Sequence, residues 1–169
     1  MSMIAREAGI SKALLYHYFP SKQAFFMATM QQAAQELADR VRPDPSDEPR
    51  DQLSHALGAW LEWVEVNRIA YGKLIRSGNG VAEVREIVDG VRDATARLIL
   101  DRLLDGEAAR PELRAAVHGW LWFMDGVCLD WVRYGELDRP AVYSLLRDAL
   151  PGALRAAGDE SLAGRISDR

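Results

Sequence analysis

The distribution of proline constrains the fold of this chain more than any other feature of its sequence. The chain has seven prolines, and none of them lies between residues 50 and 110. Since proline interrupts regular structure more strongly than any other residue, this stretch can form long elements. Apolar side chains recur there and over residues 111–157 at helical spacing, and no alternating pattern with hairpin signals occurs. The sequence therefore predicts an all-α fold.

The same spacing predicts where individual helices lie. We expect helices at about residues 50–68, 82–105, 111–134 and 140–157, a short helix around Tyr71 that ends at Gly78 and Gly80, and a frayed tail beyond Gly158. In the helix at 82–105, the predicted inward face includes Val84, Val91 and Leu98.

Composition limits the classes of protein to which this chain can belong. With 169 residues, 49% of them hydrophobic, the chain can bury a core without disulfides or metals. Its single cysteine, Cys128, excludes an intrachain disulfide, and the lack of a signal-peptide pattern predicts a cytoplasmic protein. The uncharged apolar run at residues 115–124 is shorter than the roughly 18 residues of a membrane helix, so we expect no membrane partner.

A proline-rich segment divides the chain into two expected domains. Residues 42–50 contain three prolines and three acidic side chains, a composition typical of a linker, and this predicts domains at 1–41 and 42–169. Residues 1–22 carry three basic side chains and one acidic side chain, although the net charge of the whole chain is -4. The overall charge argues against a generic basic coat for nucleic acid, and the asymmetry locates any basic patch in the N-terminal segment.

Residues 3–22, MIAREAGISKALLYHYFPSK, have the pattern of a helix-turn-helix. Gly9 allows the positive φ of a tight turn, and Ser11 is placed to cap the second helix. Lys12 can reach a phosphate or a guanine edge, and Tyr16 can donate to a phosphate or contact a thymine methyl group. Four apolar side chains are expected to face inward: Ile4, Ala8, Ile10 and Leu15.

The segments IAREAGIS and LYHYFPSK, in this order and spacing, resemble the signature of the TetR family of one-component transcriptional repressors. The resemblance covers about the first 27 residues, and the later helices agree with the family in number and length. It implies a homodimer that binds a double-stranded DNA operator through its N-terminal domain. It also implies a C-terminal helical domain that binds a small-molecule effector and dimerises through its last two helices.

Carried over position by position, the resemblance gives seven DNA-contacting candidates: Lys12, Ala13, Leu14, Tyr16, His17, Tyr18 and Lys22. Leu14 departs from the small or hydroxyl residue usual at its position, which argues against a polar base contact there. Lys22 follows the expected cap Ser21, at a helix N-terminus where the dipole and its own charge both attract phosphate.

A second departure concerns the start of the chain. The family's DNA-binding domain begins with a longer helix that packs over the two short ones, and this chain starts where that helix should already have ended. We therefore expect an incomplete DNA-binding domain, in which Ile4, Leu15 and Phe19 lack a packing partner, and poor DNA binding unless the first helix is restored.

Large aromatic and a few polar side chains on inward helix faces predict an effector pocket. The alternative is that they form ordinary core, since aromatic residues at helical spacing usually do. Asn67 and Thr95 are the better candidates because polar groups on apolar faces need partners. With no inward basic residue recognised, the pattern favours an apolar or aromatic effector over an acid. The candidate set is Trp60, Trp63, Asn67, Tyr71, Thr95, Trp120, Met124 and Cys128.

The helix at 111–134 is apolar on two sides, which indicates that both sides are covered. On its second side, two glycines seven residues apart would let another helix approach closely. Together with the last helix, this side gives the predicted dimer interface: Gly119, Trp122, Gly126, Leu129, Leu145 and Ala149.

Two other classes of protein compete with a repressor. An enzyme has little support, because the histidines are isolated and no metal-binding or nucleophile–base pair is evident, so we expect no catalytic residues, no metal and no cofactor. A helical dimer that binds a ligand but no DNA is the second alternative, given the start of the chain. The sequence favours a dimeric, ligand-responsive repressor that a small apolar or aromatic effector releases from an inverted-repeat operator, through movement of a connecting helix at 21–41.

Overall fold

The computed structural model describes residues 1–42, 44, 46–77 and 82–167. Every regular element within these residues is an α-helix, which confirms the predicted all-α fold. The chain divides into two compact units, Met1–Glu36 and Leu37–Arg169.

The first unit contains two short helices and most of a longer one. These are α1 (Ser2–Glu7), α2 (Lys12–Tyr18) and α3 (Lys22–Arg40), the last of which continues into the second unit. Gly9 has a φ of +66°, as the tight turn between α1 and α2 requires. The rings of Phe19 and Phe25 meet edge to face at 5.1 Å between centroids and help to close this unit.

The second unit is built from six helices within its described residues. They are α4 (Pro49–Val66), α5 (Arg68–Ser77), α6 (Ala82–Leu103), α7 (Pro111–Tyr134), α8 (Arg139–Ala156) and α9 (Glu160–Ile166). The predicted end of the short helix at Gly78 and Gly80 lies outside the described residues. No helix in the described part of the chain is long and apolar enough to cross a bilayer.

Helix α7 is the centre of the second unit, because it packs against α5, α6 and α8. The helix begins and ends at the predicted residues. Pro111 is its first residue, a position where the backbone N–H would have no partner within the helix, and Gly135, with a φ of +67°, follows its last residue. Its inner side supplies a continuous set of buried residues: Leu113, Val117, Trp120, Leu121, Met124, Asp125, Cys128 and Trp131.

The expectation of a frayed tail is wrong. Helix α9 packs against α8 and α4 and buries Leu162, Ala163 and Ile166. The carboxylate of Asp159 caps it by accepting a hydrogen bond from the backbone N–H of Leu162 at 3.1 Å. The cap and the spacing of the three apolar residues form a helical signal that is only two turns long.

Helix α6 is rotated from the face that the sequence predicts. Val84 is buried as expected, but Val91 and Leu98 are exposed, and Arg92 is buried with Ala96 and Leu100 in their place.

Candidate nucleic-acid interface and buried polar cluster

The second helix of the first unit is held by its cap and by one buried residue. The hydroxyl oxygen of Ser11 accepts a hydrogen bond from the backbone N–H of Leu14 at 3.0 Å, as predicted for an N-cap. Leu15 is 3% exposed and anchors the inner side of α2. The remaining sides of the helix therefore face away from the interior of the unit.

All seven DNA-contacting candidates are exposed. On α2 the ammonium group of Lys12 lies 5.8 Å from the centroid of the Tyr16 ring, one turn further on. The rings of His17 and Tyr18 meet edge to face at 5.4 Å. The structure thus groups a cation, three aromatic rings and one leucine on a single short helix, with Lys22 in the first turn of α3.

Two predicted inward residues of this unit do not face inward. Ala8 is exposed because it is the C-cap of α1, and Ala5 fills the interior instead. Ile10 does not plug the core, since it lies in the exposed turn beside Gly9.

In the second unit, three of the predicted pocket residues form an aromatic cluster between α4 and α5. The rings of Trp60 and Trp63 stack at 5.9 Å between centroids. The ring of Tyr71 meets both edge to face, at 5.7 Å and 6.4 Å. Trp63 and Tyr71 are buried, whereas Trp60 is partly accessible, so Trp60 is the member of the cluster that solvent reaches.

A buried network of polar side chains adjoins this cluster. The hydroxyl of Tyr71 donates to Oδ1 of Asp125 at 3.0 Å, and Arg92 donates to Oδ2 of Asp125 from Nε at 3.1 Å and from Nη2 at 2.7 Å. The third guanidinium nitrogen, Nη1, donates to Asp89 at 2.6 Å. Arg92 is 7% exposed.

The expectation that no basic residue faces inward is therefore wrong. Arg92 lies one and two turns from the apolar residues Val88 and Val84, so the helical period was a signal that it shares their side of α6. An aspartate in the apolar stretch of α7 was the second available signal, since a buried carboxylate needs a cation. Each of the three guanidinium nitrogens of Arg92 nevertheless donates to a carboxylate, and the charge of Asp125 offsets that of the guanidinium.

Burial determines the protonation of two other groups near the network. It raises the pKa of the Tyr71 hydroxyl far above its ordinary value, and the charge of Asp125 adds to that effect. Burial also raises the pKa of Cys128 to about 12, with a smaller contribution from the charge of Asp125. Tyr71 therefore remains a hydrogen-bond donor, and Cys128 remains a thiol rather than a nucleophilic thiolate.

The two polar candidates for the effector pocket, Asn67 and Thr95, form hydrogen bonds with the backbone of their own helices. The amide of Asn67 donates to the carbonyl of Trp63 at 2.9 Å, and the hydroxyl of Thr95 donates to the carbonyl of Val91 at 2.9 Å. The indole N–H of Trp120 donates to the carbonyl of Leu146 on α8 at 2.9 Å. Within the described residues, the buried side-chain polar atom that lacks a hydrogen-bond partner is Nε1 of Trp60.

The predicted interface residues lie on the outer sides of α7 and α8. Trp122 is 59% exposed, Leu145 is exposed, and Leu129 and Ala149 are half-buried. A β-carbon at either Gly119 or Gly126 would meet no other atom within 4 Å. We call this surface the α7–α8 face; it also includes Phe123, which the sequence reading missed although it adjoins Trp122.

A groove of about 450 Å³ opens on the same side of the second unit. It takes in Trp120, which the sequence assigned to the effector pocket, and a row of small residues on α8. Its lining is Glu112, Ala116, Gly119, Trp120, Phe123, Ala149, Ala153, Ala156 and Ala157.

Comparison with known families covers both parts of the chain. Residues 1–29 match the family described as bacterial regulatory proteins, tetR family, and residues 49–150 match the family described as tetracyclin repressor-like, C-terminal domain.

Two transcriptional regulators are similar in sequence to most of this chain. It is 28% identical over 142 residues to the HTH-type transcriptional regulator BetI of Stenotrophomonas maltophilia, covering 79% of this chain and 69% of that protein. It is 24% identical over 155 residues to BetI of Escherichia coli, covering 87% and 79% respectively.

Two solved structures share the fold. A tetR-family transcriptional regulator from Streptomyces coelicolor superposes with a TM-score of 0.85 at 27% identity, covering 96% of this chain and 75% of that one. A TetR-like transcriptional regulator from Rhodococcus sp. RHA1 superposes with a TM-score of 0.72 at 28% identity, covering 92% and 83%.

Proposed function

The chain belongs to the TetR family of transcriptional regulators, and from this premise we propose that it is a cytoplasmic, ligand-responsive repressor that binds an inverted-repeat operator as a homodimer. The observation that carries the proposal is the set of six exposed candidate side chains around the buried Leu15 of α2, with exposed Lys22 at the start of α3. Its family and its relatives are regulators rather than enzymes.

The side chains on α2 support contacts of two kinds with DNA. Lys12 and Lys22 are exposed cations, and such groups bind phosphates without regard to sequence. Tyr16, His17 and Tyr18 have hydrogen-bonding groups and ring edges that can contact bases or phosphates. Leu14 can make an apolar contact with a thymine methyl group. In a dimer, the two copies of α2 would read half-sites about 34–36 Å apart.

Selection from random duplexes tests this assignment. In a chain to which the family's first helix is added, we expect selection to enrich an inverted repeat, and Lys22→Ala to weaken binding to all duplexes alike while lowering the slope of log affinity against log salt by about 1. Lys73→Ala, which removes an exposed lysine of α5, is the matched control and should change neither quantity. If selection enriches no sequence while the chain still dimerises and binds a ligand, the helical dimer without DNA binding is the correct function.

The α7–α8 face supports homodimerisation. Glycine inside a helix costs about 1 kcal/mol relative to alanine, so Gly119 and Gly126 weaken α7 unless close approach to another molecule offsets the cost. Within the described chain, neither glycine has a neighbour that would need the space. The exposed ring of Trp122 between them is the kind of side chain that anchors protein interfaces.

The aromatic cluster supports a neutral effector. Arg92 and Asp125 satisfy each other, so they do not call for a charged ligand, whereas the indole N–H of Trp60 lacks an acceptor. We infer an effector with a flat apolar body that stacks on Trp60 and one acceptor that takes its N–H. Its entry among α4, α5 and α7 would shift the helical domain and with it the separation of the two copies of α2.

A ligand panel tests the chemistry of the effector. Uncharged aromatic ketones should raise the thermal midpoint, and the corresponding aromatic carboxylates should not. Trp60→Phe keeps a ring but removes the N–H, so it should lower the affinity for ketones while leaving that for the parent hydrocarbons unchanged. Tight binding of the carboxylates would contradict the neutral effector and leave the operator assignment intact.

A further inference from the structure

Arg92 contacts two neighbouring side chains of α7, one of them buried and the other exposed. Inside, two of its nitrogens donate to Asp125. Outside, its guanidinium carbon lies 3.8 Å from the centroid of the Trp122 ring, the distance of a stacked pair. Trp122 and Asp125 are three residues apart on α7, so one side chain from α6 reaches an interior acid and a surface ring on neighbouring turns.

The interior end of this arrangement reaches the aromatic cluster. The carboxylate that Arg92 holds through Oδ2 accepts the hydroxyl of Tyr71 through Oδ1. Tyr71 is 1% exposed, and its ring contacts both Trp60 and Trp63. Direct contacts therefore run from the aromatic cluster, through Tyr71, Asp125 and Arg92, to the α7–α8 face.

A movement of the Arg92 guanidinium would change its contacts to both Asp125 and Trp122. Each of its three nitrogens donates to a carboxylate, two to buried Asp125 and one to Asp89, three residues earlier on α6. Because the guanidinium is planar, the direction of its bonds to Asp125 also fixes the plane that it presents to Trp122. Trp122 is 59% exposed, and its stacking contact with Arg92 restricts the orientation of its ring.

We propose that Arg92 is a positioning residue that sets the orientation of Trp122 on the α7–α8 face and transmits to it any change at the hydroxyl of Tyr71. An effector that draws this hydroxyl away from Asp125 leaves the carboxylate with Arg92 as its donor. The guanidinium then shifts with the carboxylate, and Trp122 loses its stacked partner. The inference rests on the proposed function, because it assigns the route by which the effector site alters the dimer interface.

The first measurement is made within one protomer. With fluorine-labelled tryptophan, the Trp122 resonance is assigned by its loss in Trp122→Phe. Tyr71→Phe should shift that resonance, because the hydroxyl is lost while the ring remains. Tyr134→Phe, which removes an exposed hydroxyl at the end of α7, is the matched control and should leave it unchanged. A Trp122 resonance that does not respond to Tyr71→Phe would overturn the proposal.

The second measurement shows whether the change passes through Arg92. Arg92→Lys keeps the charge beside Asp125 but loses the planar group that stacks on Trp122. In that background, Tyr71→Phe should no longer move the Trp122 resonance, and an undiminished shift would overturn the proposal. If Arg92→Lys does not fold, the paired change Arg92→Gln with Asp125→Asn leaves no buried charge and serves the same purpose.

The dimer supplies the functional readout. Loss of one guanidinium–indole contact corresponds to about a two- to fivefold weaker interaction, so Tyr71→Phe should raise the dimer Kd by about that factor in sedimentation experiments. Arg92→Lys should abolish this difference, and a difference that persists would count against the proposal. A chain that stays monomeric at every concentration would refute the proposed dimer, and the resonance of Trp122 would still decide the role of Arg92.

Discussion

Removal of the Asp125 carboxylate should be among the most destabilising single changes in the helical unit. In Asp125→Ala, the buried guanidinium of Arg92 loses two of its three hydrogen bonds and keeps only the one to the half-exposed Asp89. Breaking a buried ion pair costs about 3–5 kcal/mol, and the remaining contact to Asp89 favours the lower end of that range. The stranded hydroxyl of Tyr71 adds about 1 kcal/mol. We expect a loss of roughly 4 kcal/mol in the free energy of unfolding.

A second variant separates the buried charge from the loss of packing. Tyr71→Phe, Arg92→Met and Asp125→Leu together replace the whole network by apolar groups of similar shape, which is often neutral or stabilising. We expect this triple variant to lie within about 1 kcal/mol of the parent chain, because it leaves no polar group unpaired.

Urea unfolding followed by far-UV circular dichroism measures both variants. Protein concentration must be the same throughout, since association shifts apparent stability. If Asp125→Ala costs less than about 1 kcal/mol, the pair is solvated and the burial argument fails. A triple variant as unstable as Asp125→Ala would show that shape, rather than unpaired charge, causes the loss.

Three further predictions concern assembly, reactivity and local stability. Gly126→Arg should give monomers in sedimentation experiments because the arginine fills the open space on the α7–α8 face, and unchanged association would exclude this face from the interface. Gly58→Arg, at an exposed glycine of α4, is the control and should leave association unchanged. Cys128 should resist iodoacetamide at mildly alkaline pH until the chain unfolds, since its raised pKa of about 12 keeps it a thiol; rapid labelling of the folded chain would contradict its burial. The free energy of unfolding should fall as the pH rises from the ordinary pKa of a thiol toward about 12, because the unfolded chain loses the thiol proton first. Amide protons of α1 and α2 should exchange much faster than those of α7, because such short helices are not stable alone. Equal protection of all three helices would contradict this reasoning.

Local signals explain which parts of the fold were predictable. The bounds of α7 follow from a proline at its start and a glycine after its end, both of which act within a few residues of the chain. The exposure of the α2 candidates follows in the same way from the Ser11 cap and the register set by Leu15. Helix α9 was missed because its signal is short and becomes stable only when α8 and α4 cover its apolar residues.

The buried network could be predicted only in part from the sequence. The apolar neighbours of Arg92 and Asp125 indicate burial of each residue, but no sequence pattern pairs an arginine on α6 with an aspartate on α7. Only the packing of α6 on α7 shows that each satisfies the other, while Tyr71 arrives from a third helix. Asn67 and Thr95 lie on apolar helix faces, yet they need no partner from another helix or a ligand. Each donates a hydrogen bond to a backbone carbonyl of its own helix, a partner that the pattern of apolar faces does not reveal.

The two unpartnered glycines of α7 place the stability of the single chain and its association in opposition. Alanine at Gly119 and Gly126 would raise the helical propensity of α7 by about 1 kcal/mol at each site, and the structure has room for both methyl groups. The same methyl groups would keep a second molecule at a distance. Variants selected only for heat resistance at high dilution should therefore accumulate alanine here and lose the proposed dimer, whereas selection for the proposed repressor activity should retain glycine.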